Sequence, residues 1–379
     1  MRKSLISQTL DPSRSTCRGF LWCRVGIFFC LLCTVVYIPL FYTISLREGT
    51  EISVTGQSFQ WHSNSTRNVA VYVQPENVTA IIPNPGLCGN SSDHHPFLLI
   101  VVCSSVGNFE ARNAIRQTWM SFRPNQTAPY NIRMAFLLGQ TFNESRQNDV
   151  IAESEMHSDI IQEGFHDSYL NLTLKSVMML KWVTTYCPQV TFVLKTDDDM
   201  FVNVPALVHH LAQPAIRHRK DLIVGSLFCR VAPIKDLHSK WYSPQFMFSG
   251  KEYPDYVSGT GYVISGGLIS TLFENAMQVP LFHLEDIFIT GMVARQSNIT
   301  PENFHLFSYL KQPLNLTCLY QKIFTSHGLK PAELRSIWQR LNDPQLDCSA
   351  VRLPKIGDPK TKKCKVNKKV VTRFSARRG

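Results

Sequence analysis

The apolar run Thr191-Phe192-Val193-Leu194, extended by Lys195-Thr196, stops at three consecutive aspartates, Asp197-Asp198-Asp199, before apolar residues resume at Met200-Phe201-Val202. A short β-branched and aromatic run of this kind reads as a strand covered on both faces. Such strands belong to open α/β sheets, whose ligand crevice lies beyond the carboxyl ends of the strands. Acid at that position is either a solvated turn or a ligand site. Carboxylate oxygens gathered there suit Mg2+ or Mn2+, ions that share their coordination with substrate phosphates.

The neighbouring sequence has the same alternation. Phe97 to Val102 is a second buried-strand candidate, followed by a loop at Ser104 to Asn108 and a helix from Phe109 to Met120. Arg133 to Leu138 reads as a third strand, Val150 to Asp159 as a helix, and Leu174 to Tyr186 as the helix that feeds the triplet's strand. Tyr256 to Ile264 and the helical Leu268 to Ala276 then lead to a second acidic spot, Glu285-Asp286, flanked by apolar residues. Strands alternating with helices predict an α/β domain with a largely parallel sheet and helices on both faces.

The ends of the chain have a different character. Val25 to Leu46 is a stretch of 22 residues without a charge, enough helix to cross a bilayer. Arg2, Lys3, Arg14, Arg18 and Arg24 precede it against the single acid Asp11. That cationic flank predicts a type II, single-pass topology with the C-terminal part in the lumen. The stretch exceeds the usual apolar length of a cleaved signal peptide. Glycosylation sequons agree with this topology, because all eight follow the span: Asn64, Asn77, Asn90, Asn125, Asn143, Asn171, Asn298 and Asn315. Asn171 lies in an apolar segment and is the exception expected to go unmodified. The expected organisation is a cytoplasmic tail at 1–24, an anchor at 25–46, a stem at 47–95, a catalytic domain at 96–350 and a basic tail at 351–379.

Four cysteines, Cys17, Cys23, Cys30 and Cys33, lie in or beside the anchor. Cys88, Cys103, Cys187, Cys229, Cys318, Cys348 and Cys364 follow it, and a lumenal location favours disulfides among them. Their odd number leaves at least one thiol free or paired between chains. Cys103 sits inside an apolar run and reads equally as a buried thiol. The net charge of +11 is concentrated at the ends: from Arg352 onward, eleven Lys and Arg face one acid. A terminal basic tail is a solvated end that could meet acidic lipid or polysaccharide, and it does not point to nucleic acid.

A divalent ion on the triplet would have a diphosphate as its natural companion. The chain has no Walker A sequence and no EF-hand spacing. A nucleotide-diphosphate donor held through metal, as in nucleotide-sugar transfer, fits what remains. Arg112 and Arg116 lie four apart on one helical face and could fork onto phosphate, or form a surface salt-bridge face. Asp167 and Lys175 could ring the same site, with a helix-start role for Asp167 as the alternative. Asp286 could take a proton from an acceptor hydroxyl, or cap the following helix. His327 could complete a metal shell, although a lone histidine is more often structural.

Taken together, these residues resemble the β-1,3-galactosyltransferase family, glycosyltransferase family 31. The motifs are Arg112 to Trp119, Asp167 to Lys175, Lys195 to Asp199, Tyr253-Pro254 with Ser258 to Tyr262, and Leu284 to Ile287. The resemblance runs from about Pro96 to Cys348. It implies a GT-A type, Rossmann-like glycosyltransferase domain and an inverting, Mn2+ (or Mg2+)-dependent transfer from a UDP-sugar in the Golgi. It implies Asp199, His327 and Asp197 as metal ligands and Asp286 as the general base. It also implies Arg112, Arg116, Asp167, Lys175, Lys195, Asp197 and Asp198 around the UDP-sugar, with Trp241, Tyr256 and Glu285 on the acceptor side. Met120 stands where the family usually has glycine, and Ile289-Thr290-Gly291 departs from the usual run after the base. The form His283-Leu284-Glu285-Asp286 is closer to the galactosyl branch, so the expected donor is UDP-galactose and the expected acceptor a glycan on protein or lipid. An N-acetylhexosamine donor, or an inert glycan-binding homologue, are the alternatives.

Overall fold

The computed structural model describes residues 61–89, 95–122 and 130–349. The anchor at 25–46, the basic tail and the sequons at Asn90 and Asn125 lie outside the described residues. Among those described, no helix is long and apolar enough to cross a membrane.

Eight strands form one sheet in the order β1-β4-β3-β2-β5-β8-β7-β9. They are β1 Ala80–Ile82, β2 Leu98–Cys103, β3 Ile132–Gln140, β4 Ile160–His166, β5 Phe192–Asp197, β7 Ile223–Phe228, β8 Tyr256–Ser265 and β9 Glu302–Asn303. The core, β4-β3-β2-β5, is parallel, as the alternation predicts. Every residue of β2 is buried, so its continuous Leu-Leu-Ile-Val-Val-Cys run serves two covered faces. The register sets Cys103 level with both Leu137 and Asp197. The central strands therefore end together, and the loops after β2 and β5 meet at one rim.

Two features differ from a simple parallel sheet. Strand β8 runs antiparallel to β5 and β7, with Gly261 opposite Thr196. This reversal lays the first half of β8 beside the aspartate triplet. A separate two-stranded ladder joins β6, Phe201–Val202, to β10, Thr325–Ser326. The helices that cover the sheet include α1 Val69–Val73, α2 Phe109–Gln117, α3 Glu144–His157 and α4 Leu172–Tyr186. The expected helix through Met120 ends instead at Gln117 and gives way to a 3-10 turn at Trp119–Ser121, where Met120 packs into the core.

The folded unit also begins earlier than the expected boundary at residue 96. Strand β1 adds to the sheet edge beside β4, and Cys88 is disulfide-bonded to Cys187 at the end of α4. Arg67 donates to the carbonyls of Leu281 and Pro280, just ahead of the Glu285-Asp286 pair, and to that of Phe246. Lys181, on α4, explains much of this docking. Its buried ammonium donates to the carbonyls of Val73, Gln74 and Asn77 and to the Thr79 hydroxyl. Lys181→Met keeps the stem's volume but leaves three carbonyls without their cation. A loss of about 3 kcal/mol in urea unfolding is expected; an unchanged midpoint would refute this anchoring role.

Candidate active site

The three aspartates at the end of β5 have three different partners. Asp197 Oδ1 lies 2.6 Å from Lys195 Nζ, and that ammonium is buried and also donates to the Gly259 carbonyl at 2.7 Å. Asp198 Oδ2 accepts from Ser104 Oγ at 2.6 Å and from Asn108 Nδ2 at 2.9 Å, both in the loop after β2. Burial nevertheless raises its pKa above the ordinary carboxylate value. Asp199 Oδ2 faces His327 Nε2 at 3.2 Å. That meeting is built by backbone: β6 pairs with β10, and the Leu329 amide donates to the Asp199 carbonyl at 2.9 Å. The hydrogen bond that His327 donates to the Asp199 carboxylate raises the His327 pKa.

The second acidic spot meets the start of β8 at Gly259, whose carbonyl also accepts from Lys195. Asp286 accepts from the Ile287 amide at 2.9 Å and the Gly259 amide at 3.2 Å, so it caps the π-helical segment Ile287–Val293. The capping use expected of the residue is present. Burial, and behind it the Glu285 carboxylate, raise the Asp286 pKa to about 7. Close approach depends on glycine: a Cβ on Gly259 would sit 3.0 Å from Glu285 Oε2 and 3.2 Å from Asp286 Cβ. Gly291, the departure after the base, has a similar reason. A Cβ there would stand 3.2 Å from the Tyr256 Cβ, so glycine lets the π segment lie close to β8.

Lys195 connects the two halves. Beyond Asp197 it lies 3.6 Å from Glu285 Oε2, while Glu285 Oε1 accepts from the Tyr262 hydroxyl at 2.6 Å. Glu285 is thus buried behind Asp286, not on the expected acceptor face. Its charge pushes the Asp286 pKa upward, so Glu285→Gln should move the acidic limb of a pH–rate profile to lower pH by about one unit. An unmoved or upward-shifted limb would show that Glu285 does not tune this carboxylate.

Other expected site residues are distributed differently. Arg112 is fully buried and all its nitrogens are engaged, by Glu153 at 2.6 and 2.8 Å and by Ser104, Ser105 and Val106. Arg116 is held by Asp159 and Glu153, each at 2.8 Å. The expected fork onto phosphate is replaced by internal ion pairs, and Arg112 instead braces the loop whose Ser104 holds Asp198. Glu153 and Asp159 were not identified from sequence, because their inward position depends on how α3 packs on the sheet. Asp167 and Lys175 do meet, at 2.8 Å, under the same rim; Asp167 also accepts from the Gly139 amide, and Lys175 donates to the Ser104 carbonyl. Their contacts too are internal.

On the outer side Trp241 is exposed, with Lys240 Nζ 4.7 Å from its ring and 5.9 Å from that of Tyr169. Tyr169, which sequence placed only within a motif, is half-exposed, and burial followed by the charges of Asp286 and Asp197 lifts its pKa to about 12. Tyr256 is buried and stacks on Phe228 at 5.4 Å. An aromatic, partly cationic wall beside an elevated carboxylate can receive a sugar ring. The sequon residues Asn64, Asn77, Asn143, Asn298 and Asn315 are exposed, while Asn171 is buried and donates to the His166 carbonyl.

The carboxylate of Asp199 and the imidazole of His327 converge from separate elements and are both partly open to solvent, two potential ligands, although among the described residues no group of three or more such side chains gathers. Asp197 and Asp198 are instead engaged by Lys195 and by Ser104 and Asn108, which departs from a cage of adjacent carboxylates.

Residues 110–305 match the family model described as galactosyltransferase. The chain is 38% identical over 267 residues to β-1,3-galactosyltransferase 2 of Mus musculus, covering 69% of this chain and 61% of that protein; the match thus spans less than two thirds of this relative. It is 33% identical over 296 residues to β-1,3-galactosyltransferase 1 of Mus musculus, covering 78% of this chain and 87% of the relative. A galactosyltransferase solved with donor and acceptor sugar analogues aligns at a TM-score of 0.33 and 13% identity, covering 62% of this chain and 88% of that one, a likeness too slight to define the fold.

Proposed function

Since the chain belongs to the β-1,3-galactosyltransferase family, glycosyltransferase family 31, we propose that it is an inverting hexosyltransferase moving galactose from UDP-galactose to a glycan hydroxyl in β-1,3 linkage. The observation that carries this reading is that Gly259 on β8 links two unlike acids: its amide donates to Asp286, whose pKa is about 7, and its carbonyl accepts from Lys195, the partner of Asp197, while Asp199 of the same triplet meets His327.

In this reading Asp286 accepts the proton of the acceptor hydroxyl as its oxygen attacks the anomeric carbon, and the bond from that carbon to UDP breaks. A base poised near working pH is ionised often enough to act and basic enough to take the proton. One base opposite one leaving group gives inversion. Asp199 and His327 would hold Mn2+ or Mg2+, which supplies positive charge to the departing diphosphate. Trp241 and Tyr169 would stack on the acceptor, while Asp198, fixed by Ser104 and Asn108, would face the donor. The sheet, with its parallel core and reversed β8, is read as the GT-A type.

A Golgi setting, with a type II anchor at 25–46 and the domain in the lumen, is supported by two disulfides, Cys88–Cys187 and Cys318–Cys348. The partners would be a UDP-hexose, a glycan on protein or lipid, and the Golgi membrane. The test is UDP release by the detergent-solubilised full chain, assayed against a donor panel with a mixed glycan acceptor library and Mn2+. Turnover with UDP-galactose above UDP-N-acetylglucosamine and UDP-N-acetylgalactosamine is expected. UDP binding without release across the panel would favour an inert glycan-binding protein instead.

A further inference from the structure

The motif at 112–119 ends on two residues whose contacts lead to the Asp199–His327 pair. Helix α2 stops at Gln117, where the Thr118 hydroxyl donates to the Ala114 carbonyl at 2.7 Å, and a 3-10 turn carries Trp119 inward. Trp119 is fully buried, and its indole N–H donates to the Met200 carbonyl at 2.9 Å. Met200 joins Asp199 to β6. Gln117 reaches the other arm: its Oε1 accepts from Arg335 Nε at 2.6 Å, while Glu110 in the first turn of α2 accepts from Arg335 Nη1 at 2.7 Å. Arg335 belongs to the helix Pro331–Leu341, which starts shortly after His327. We propose that Trp119 and Gln117 are positioning residues, which hold the Asp199 arm and the His327 arm against one helix and thereby fix the separation of the two side chains.

The pair needs such support. Its 3.2 Å gap is framed by β6 and β10, which pair only through Phe201 with Ser326 and Val202 with Thr325. So short a ladder is marginal by itself, and a slip of one residue displaces a strand by about 3.3 Å, as much as the gap. The Leu329 amide on the Asp199 carbonyl joins the two arms to each other and refers neither of them to the main sheet. Helix α2 supplies that reference, because Ala114, Ile115 and Trp119 share one buried cluster with Ile100 and Val102 of β2. An indole that both fills the core and donates to a particular carbonyl fixes direction as well as volume. Were Trp119 only filling space, replacing it with phenylalanine would lower stability and leave the pair where it is.

The first test is independent of the glycosyl-transfer reading, and only the second rests on it. Crystal structures of the unaltered chain, Trp119→Phe and Arg335→Gln give the distance from Asp199 Oδ2 to His327 Nε2. It should widen by about 1 Å in the variants, a displacement large enough to matter at a reacting centre; an unchanged distance overturns the proposal. Arg335→Gln breaks a partly exposed ion pair and should leave the urea midpoint nearly unchanged, so it decides the matter if Trp119→Phe fails to fold. The second test titrates Mn2+ calorimetrically into the detergent-solubilised full chain loaded with UDP. Kd for Mn2+ should rise about tenfold in either variant, as when a residue that orients a metal ligand is lost. Trp182→Phe is the control: Trp182 is also buried, and its indole donates to the Pro83 carbonyl at 2.6 Å, away from both arms. A rise in Kd with Trp182→Phe equal to that with Trp119→Phe would show general loosening and overturn the proposal. If the unaltered chain binds no Mn2+, the reading of Asp199 and His327 as a metal site fails, and the measured distance still decides the positioning role.

Discussion

Asp286→Asn is expected to lower kcat by about 10²–10⁴-fold while leaving UDP affinity nearly unchanged. The carboxylate is the group proposed to take the acceptor's proton, and an amide cannot take it. The substitution is also mild for the fold. Asp286 accepts one hydrogen bond from Ile287 and a longer one from Gly259, so an amide forfeits at most the weaker of them, at a cost of about 1 kcal/mol. The pH dependence gives the sign. With a folded pKa of about 7, raised from 3.8, Asp286 contributes stability that is fully present below the unfolded value and is lost as pH rises through about 7. Activity runs the other way, climbing as the carboxylate ionises through the same range. Single-turnover assays from pH 5 to 9, with calorimetric titration of UDP, separate the two. Asp286→Asn with undiminished turnover would exclude it as the base.

Much of this arrangement was legible in sequence because it depends on local pattern. Continuous apolar runs marked the buried strands, and acid at the end of one marked the rim, since both follow from what can be dehydrated on two sides. What pattern could not supply was direction and long-range pairing. Periodicity alone does not tell β8's antiparallel course from a parallel one, yet that course places Gly259 and Asp286 beside the triplet. The arginine pair shows the same limit. Arg112 and Arg116 carry the spacing of a phosphate fork, but α3 brings Glu153 between them and converts the pair into a brace. Lys195 and Glu285 were read as ligand-facing for similar reasons; their burial follows from a pairing between β5 and β8 that no local rule encodes. The stretch before residue 96 looked like stem because its strand is only three residues long and its cation, Lys181, comes from a helix far along the chain.

If Asp199 holds the proposed metal, Asp199→Ala should reduce turnover by on the order of 10²–10³-fold at saturating UDP-galactose, because several kcal/mol of charge stabilisation on a departing diphosphate would be lost with it. The three adjacent aspartates make the comparison internal. Among the described residues Asp199 pairs with the side chain of His327 and is partly exposed, so its removal should leave the unfolding midpoint of the metal-free chain nearly unchanged. Asp197 is different, for it neutralises an ammonium that is buried and whose next acid, Glu285, lies farther off at 3.6 Å. Asp197→Ala should therefore unfold more readily, by about 3–5 kcal/mol, since a buried cation left without its close partner is costly. Measuring Mn2+ activation curves and urea unfolding on both variants distinguishes the roles. If Asp199→Ala kept its Mn2+ response while Asp197→Ala lost it without loss of stability, the metal would belong to Asp197 and the pairing of Asp199 with His327 would be structural. The expected reverse, an active-site defect at Asp199 and a folding defect at Asp197, would mean that the triplet is divided by its surroundings: one carboxylate serves the buried lysine, one the loop after β2, and one the reaction.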